Sequence, residues 1–140
     1  MQVGLKRSAI WLAALLLFVY LPVAATQEPK SKLAHANGDG TLRIGDEQFK
    51  IYSVIVKLME DGKAEITLVS DITVFVSGTW SRSQDAAKVI NLVITGSATG
   101  GGVNANGKLY LRDDASIDRL VLQGESRTTK RNIDAKFQAK

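Results

Sequence analysis

The chain is 140 residues long, with 18 basic and 14 acidic residues, one histidine, no cysteine and a formal charge of +4. The missing cysteines exclude thiol nucleophiles, thiolate metal sites and disulfide staples, so any folded domain must hold together by packing alone. The single histidine, His35, precedes the part that reads as folded, which argues against a Ser-His-Asp arrangement or a histidine metal cluster.

Residues 1–25 read as a secretory signal peptide. Lys6 and Arg7 give a short positive region, residues 9–20 form an unbroken apolar run, and Val23-Ala24-Ala25 offers small residues before a cleavage point. An uncleaved anchor is the competing reading, but the apolar run is shorter than the roughly 20 residues a spanning helix needs. The expectation is an exported protein starting at Thr26, in the periplasm or outside the cell, with a bacterial envelope favoured, and without a transmembrane span after cleavage. Cleavage removes two basic and no acidic residues, leaving 16 − 14 = +2. Much of the apparent basicity belongs to the export signal, so neither nucleic acid nor nucleotide is expected as a partner.

Residues 26–40, TQEPKSKLAHANGDG, are polar and read as a flexible leader. Within HANGDGTLRIGD, Asn37, Asp39, Gly40 and Asp46 fall at calcium-loop spacing. His35, however, stands where the first carboxylate belongs, and no helix leads in. Asp39-Gly40 is therefore read as a turn into the first strand.

Residues 41–140 read as one all-β domain. Runs rich in β-branched and aromatic residues occur at 41–45, 48–59, 63–69, 72–80, 88–95, 107–112, 117–124 and 131–139, separated by Gly, Asn and Asp. In the last run Ile133, Ala135, Phe137 and Ala139 alternate with polar residues, as a half-buried antiparallel strand requires. Ile72, Val74, Val76, Gly78 and Trp80 share a face in the fourth run, as do Ile90, Leu92 and Ile94 in the fifth. QFKIYSVIVKLM is apolar on both faces around Ser53, which predicts either a central strand or a bulge that switches face. About eight strands in an antiparallel meander close as a small barrel or pack as a sandwich, and the barrel is preferred. A faint repeat relates residues 62–78 to 107–124, each starting at Gly-Lys and ending at Gly.

Gly102 to Lys108 spells the glycine–lysine core of a phosphate-binding loop, but Leu109 follows where Ser or Thr is needed, and the run continues as a strand. Asn106-Gly107 is read instead as a two-residue hairpin turn. Asp113-Asp114 and Glu60-Asp61 are the adjacent carboxylates available for acid–base chemistry, both in predicted turns, so a carboxylate-dependent hydrolase ranks below a binding protein. No catalytic residue, metal site or cofactor is assigned. Trp80 and Arg82, at the end of the fourth run, are the candidate ligand-binding pair. Arg127, Lys130 and Arg131, in a basic turn, are candidates for contact with an anionic surface. The expected function is a non-enzymatic exported β-domain that binds an envelope component, a polypeptide partner or a small apolar ligand. The alternative is an assembly protein acting through an exposed strand edge.

Overall fold

The computed structural model describes residues 30–98 and 101–140. The expected signal peptide, the first part of the leader (26–29), and Thr99 and Gly100 lie outside the described residues. Eight strands follow in chain order: β1 (Ser31–Ile44), β2 (Glu47–Met59), β3 (Lys63–Ser70), β4 (Val74–Arg82), β5 (Val89–Ser97), β6 (Gly102–Leu111), β7 (Ile117–Ser126) and β8 (Asn132–Ala139). Each pairs antiparallel with the next, and β8 pairs back onto β1, so the sheet closes into a barrel rather than splitting into a sandwich.

The alternation in the sequence becomes inside and outside. Ala135 and Phe137 in β8 are buried while Lys136 and Gln138 are exposed, and Ile90, Leu92 and Ile94 point into the core from β5. The two-sided run in β2 is a bulge. Ile51 faces inward before it and Val54 and Val56 after it, Ser53 is buried at the switch, and the register against β3 shifts between Ile51 and Ser53. One extra residue turns the strand over, so both apolar sets reach the core. Burial of each such Leu, Ile or Val contributes about 1.5–3 kcal/mol, offset by the entropy of ordering the chain.

The structure corrects two readings. β1 begins at Ser31, so residues 31–40 of the expected leader are strand, and Asp39-Gly40 lies within it at a bulge against β2 between Asn37 and Gly40. The inward positions there are Ala34, Ala36, Gly38 and Gly40, too small to give a hydrophobic signal. Small size is what the position needs: a Cβ on Gly38 would stand 2.8 Å from the Phe137 ring and 2.1 Å from the Gln138 carbonyl oxygen. β8 can lie against β1 only because that atom is absent. The second correction is Asn106-Gly107, which sits mid-strand in β6, with Gly107 opposite Leu92 and Leu122. A Cβ there would come 2.3 Å from Leu122 Cδ2, so this glycine serves close approach inside the barrel and not a turn. The repeat fails at the same point, because Gly62 is a turn residue with φ +91° whereas Gly107 is not.

The register also sets the width of the barrel. A row of paired residues runs from Lys32 through Leu58, Ala64, Gly78, Ile94, Ala105, Gly124 and Ile133, returning to β1 at Ile44, 12 residues beyond its start. With ordinary strand spacing that stagger tilts the strands by roughly 45° and gives a backbone radius of about 9 Å. Phe137, Val54, Ile66, Leu92 and Leu120 fill the middle layer, each 2 % exposed or less. The outer wall carries charge on β1–β3 and β6–β8, for example Lys57, Glu65, Lys108, Arg119 and Lys136, whereas β4 and β5 turn uncharged residues such as Phe75, Ser77, Asn91 and Val93 outward. An apolar interior is the inverse of the polar lumen of a lipid-facing barrel.

Candidate functional site

Each mouth of the barrel holds a hollow. One, of about 570 Å³, lies where β2–β3, β4–β5 and β6–β7 turn, beside the start of β1. The other, of about 560 Å³, lies at the opposite end, where β3–β4, β5–β6 and β7–β8 turn. Both volumes suit a small organic ligand.

Trp80 closes one side of the first hollow. It is the last inward apolar residue of β4, following Val74, Val76 and Gly78. Its indole N–H donates to the Met59 carbonyl at 2.8 Å, and its backbone N–H donates to the Gly62 carbonyl at 2.9 Å. These two bonds to the β2–β3 turn hold the ring in one place, so it is both a core residue and a fixed wall. Ala34, Val56, Leu58, Ile90, Leu109 and Leu111 supply the rest of the apolar lining. Arg82, two residues beyond Trp80 on the same face, reaches the rim, where Lys30, Lys32 and Glu60 also stand. Among the described residues, neither of the two lysines nor Arg82 has an ion-pair partner. Two further cations near this mouth are engaged. Lys88 pairs with Asp113, while Arg112 pairs with Asp118 at 3.5 Å and donates to the Lys140 carbonyl at 3.1 Å.

The expected pair Trp80 and Arg82 is thus brought to one mouth. Lys30 and Lys32 escaped the sequence reading because they fell in the supposed leader. The signal that finds them is the spacing of two that links them to Ala34, Ala36, Gly38 and Leu42 on the inward row of β1.

The second mouth is of different chemistry. Leu68, Val74, Val76 and Ile133 form its floor and walls, and its rim carries the hydroxyls of Thr73, Thr128 and Thr129. Arg127, Lys130 and Arg131 lie near it but do not converge. Arg127 lies against β5 and β6, donating to Asn104 Oδ1 at 3.1 Å and to the Thr95 carbonyl at 3.3 Å. Arg131 pairs with Glu47 at 3.5 Å. Lys130 occupies a left-handed turn position with φ 58°. Two of the three are therefore structural contacts rather than free cations.

The carboxylates serve turns. Asp114 accepts bonds from the Ser116 hydroxyl and backbone N–H, and these hold its carboxyl below the usual range. Asp71 accepts a bond from the Tyr52 hydroxyl at 3.1 Å, which with the aspartate's charge raises the phenol above its ordinary value. No group of three His, Asp or Glu side chains among the described residues stands close enough to hold a metal ion. Compared with models of protein families, with characterised proteins and with solved structures, the chain matches none.

Proposed function

We propose that the chain is an exported, non-enzymatic binding protein that takes a small ligand with an apolar body at the Trp80 mouth. The observation that supports this reading is the hollow itself: an apolar recess of ligand size whose large aromatic wall is fixed by two hydrogen bonds. A wall held in place before binding spares the cost of ordering it afterwards. The interior below the recess is densely filled, so the ligand sits in the mouth and does not thread the barrel. Export follows from the signal-like residues 1–25, and N-terminal sequencing of the natural protein is expected to begin at Thr26.

Native mass spectrometry of protein purified from its host tests the binding reading. A retained small molecule lost in Trp80→Ala supports it. A retained molecule unaffected by Trp80→Ala moves the site elsewhere, and protein that neither retains nor takes up apolar molecules sinks it.

A second reading has its own observation. Residues 31–37 pair with β2 on one side, while β8 meets β1 from Gly38 onward and the Lys140 N–H donates to the Asn37 carbonyl, so residues 31–36 keep an open edge among the described residues. A partner strand could add there. Lys32 on that edge disfavours such pairing, which is why the mouth is preferred.

A further inference from the structure

We infer that the ligand of the Trp80 mouth is an anionic amphiphile, an apolar chain ending in a carboxylate head. The inference rests on the binding reading above and adds the head group to it. It starts from what happens to two inward rows as they leave the core. Along β1 the inward row reads Leu42, Gly40, Gly38, Ala36 and Ala34, and then continues outward as Lys32 and Lys30. Along β4 it reads Val74, Val76, Gly78 and Trp80, and then Arg82. Both rows change from apolar to cationic as they reach the lip of the hollow, and all three cations are exposed. Packing does not require charge at these positions, since nothing covers them.

Glu60 is the one acid among the residues that line this hollow, so three positive charges face one negative. Elsewhere on this rim Lys88 pairs with Asp113 and Arg112 with Asp118, and on the other rim Arg131 pairs with Glu47 while Lys130 has no ion-pair partner among the described residues. The lip above the Trp80 recess thus gathers three cations that have no ion-pair partner among the described residues around one apolar hollow. A ligand lying along Leu58, Leu109 and Leu111 would place its far end among Lys30, Lys32 and Arg82. A carboxylate there meets the Arg82 guanidinium in the planar geometry that allows two parallel bonds, with the lysines as flanking point charges. An alcohol head gains none of this, and a quaternary ammonium head is repelled.

Calorimetric titration of the natural processed protein with decanoate, decanol and decyltrimethylammonium tests the assignment, since the three share a tail and differ in head. The lip is exposed, so its contribution is modest: decanoate is expected to bind at least about fivefold tighter than decanol, and the ammonium more weakly than either. Raising salt from low to moderate strength should erode the lead of decanoate and leave decanol unchanged. In the double variant Lys32→Gln with Arg82→Gln, decanoate should fall to within about twofold of decanol measured on the same variant, with the Tm unaltered. Equal binding of decanoate and decanol by the wild type would overturn the head-group assignment while leaving the apolar site standing. Binding of the ammonium as tight as that of decanoate, or a double variant that loses both ligands in parallel, overturns it as well. Binding of none of the three removes the apolar site and this inference together.

Discussion

The two mouths of the barrel have nearly equal volume and opposite chemistry, and the difference lies in what each strand does after its last buried residue. At the Trp80 end, β1 and β4 run on in register and carry their inward rows to Lys32 and Arg82. At the other end the turns are built from Thr128, Thr129 and Thr73, and the nearby arginines are drawn away, Arg127 onto Asn104 and Arg131 onto Glu47. The same wall therefore ends in a charged lip on one side and a neutral, hydroxyl-bearing lip on the other. A count of charges along the chain points to the other mouth, yet residues 127–131 hold three positive charges in sequence and spend two of them on internal contacts.

The largest effect expected is on what separates the mouths. Phe137→Ala should lose about 3–5 kcal/mol in urea unfolding, since it empties the middle layer between the hollows. Lys136→Ala, on the outer face, should lose about 0.5 kcal/mol or less. Similar losses for the two would mean that the divider is not where the burial of Phe137 places it.

Next comes the contrast between the aromatic residues of the two ends. Trp80→Ala should cost about 2–3 kcal/mol, from lost packing and a lost hydrogen bond. Trp80→Phe should cost about 1 kcal/mol, because most of the ring packing stays and only the bond to Met59 goes. Phe75, which lines the opposite hollow, is 52 % exposed. Phe75→Ala should therefore cost less than about 1 kcal/mol. Thermal melts that rank Phe75 above Trp80 would erase the asymmetry argued here.

A smaller effect separates bound from free cations. Arg127→Ala should lower stability by about 0.5–1 kcal/mol through its lost hydrogen bonds, discounted for exposure. Arg82→Ala should leave stability unchanged within about 0.5 kcal/mol, and Lys130→Ala should leave co-sedimentation with anionic vesicles unchanged. Strong vesicle binding at low salt, lost when Arg127, Lys130 and Arg131 are all changed to Ala, would restore the basic turn as a surface contact.

The smallest effects are in pH dependence, and they have opposite signs. The Asp114 carboxyl is depressed by its bonds from Ser116, so its stabilisation is full above the ordinary carboxylate range and disappears as pH falls through its own, lower value. Asp114→Asn should thus be slightly less stable than wild type at neutral pH and equal to it in strong acid. The Tyr52 phenol is raised by its hydrogen bond to Asp71, so its contribution is full below the ordinary tyrosine value and fades as pH rises through the higher one. The difference between wild type and Tyr52→Phe should accordingly close only in strong alkali.

Much of the wall was legible. Alternation in 72–80, 88–95 and 131–139 gave the correct inward face, because a strand with one wet side must repeat every two residues. The face switch in β2 was legible as an alternative, since only a bulge lets Ile51 and Val54 share one core. What misled was glycine. Asn106-Gly107 and Asp39-Gly40 have the composition of turns, but in a narrow closed barrel an inward glycine also marks where two strands press together. Sequence does not show which residue of the neighbouring strand will lie beside such a glycine. Trp80 and Arg82 were found because they follow a clean alternating run, whereas Lys30 and Lys32 were missed because the Ala and Gly positions between them and Leu42 carry almost no hydrophobic weight.

By itself the sequence determined the all-β class, the number and order of the strands, and which side of most of them is apolar, because these depend on the period of two and on local turn chemistry. The tertiary structure decided the closure of β8 onto β1, the stagger of 12, and hence the width of the mouths, because these depend on pairings between residues far apart in the chain. It also decided which cations are free. Arg131, in the turn before β8, reaches Glu47 at the start of β2 only once β8 has closed onto β1.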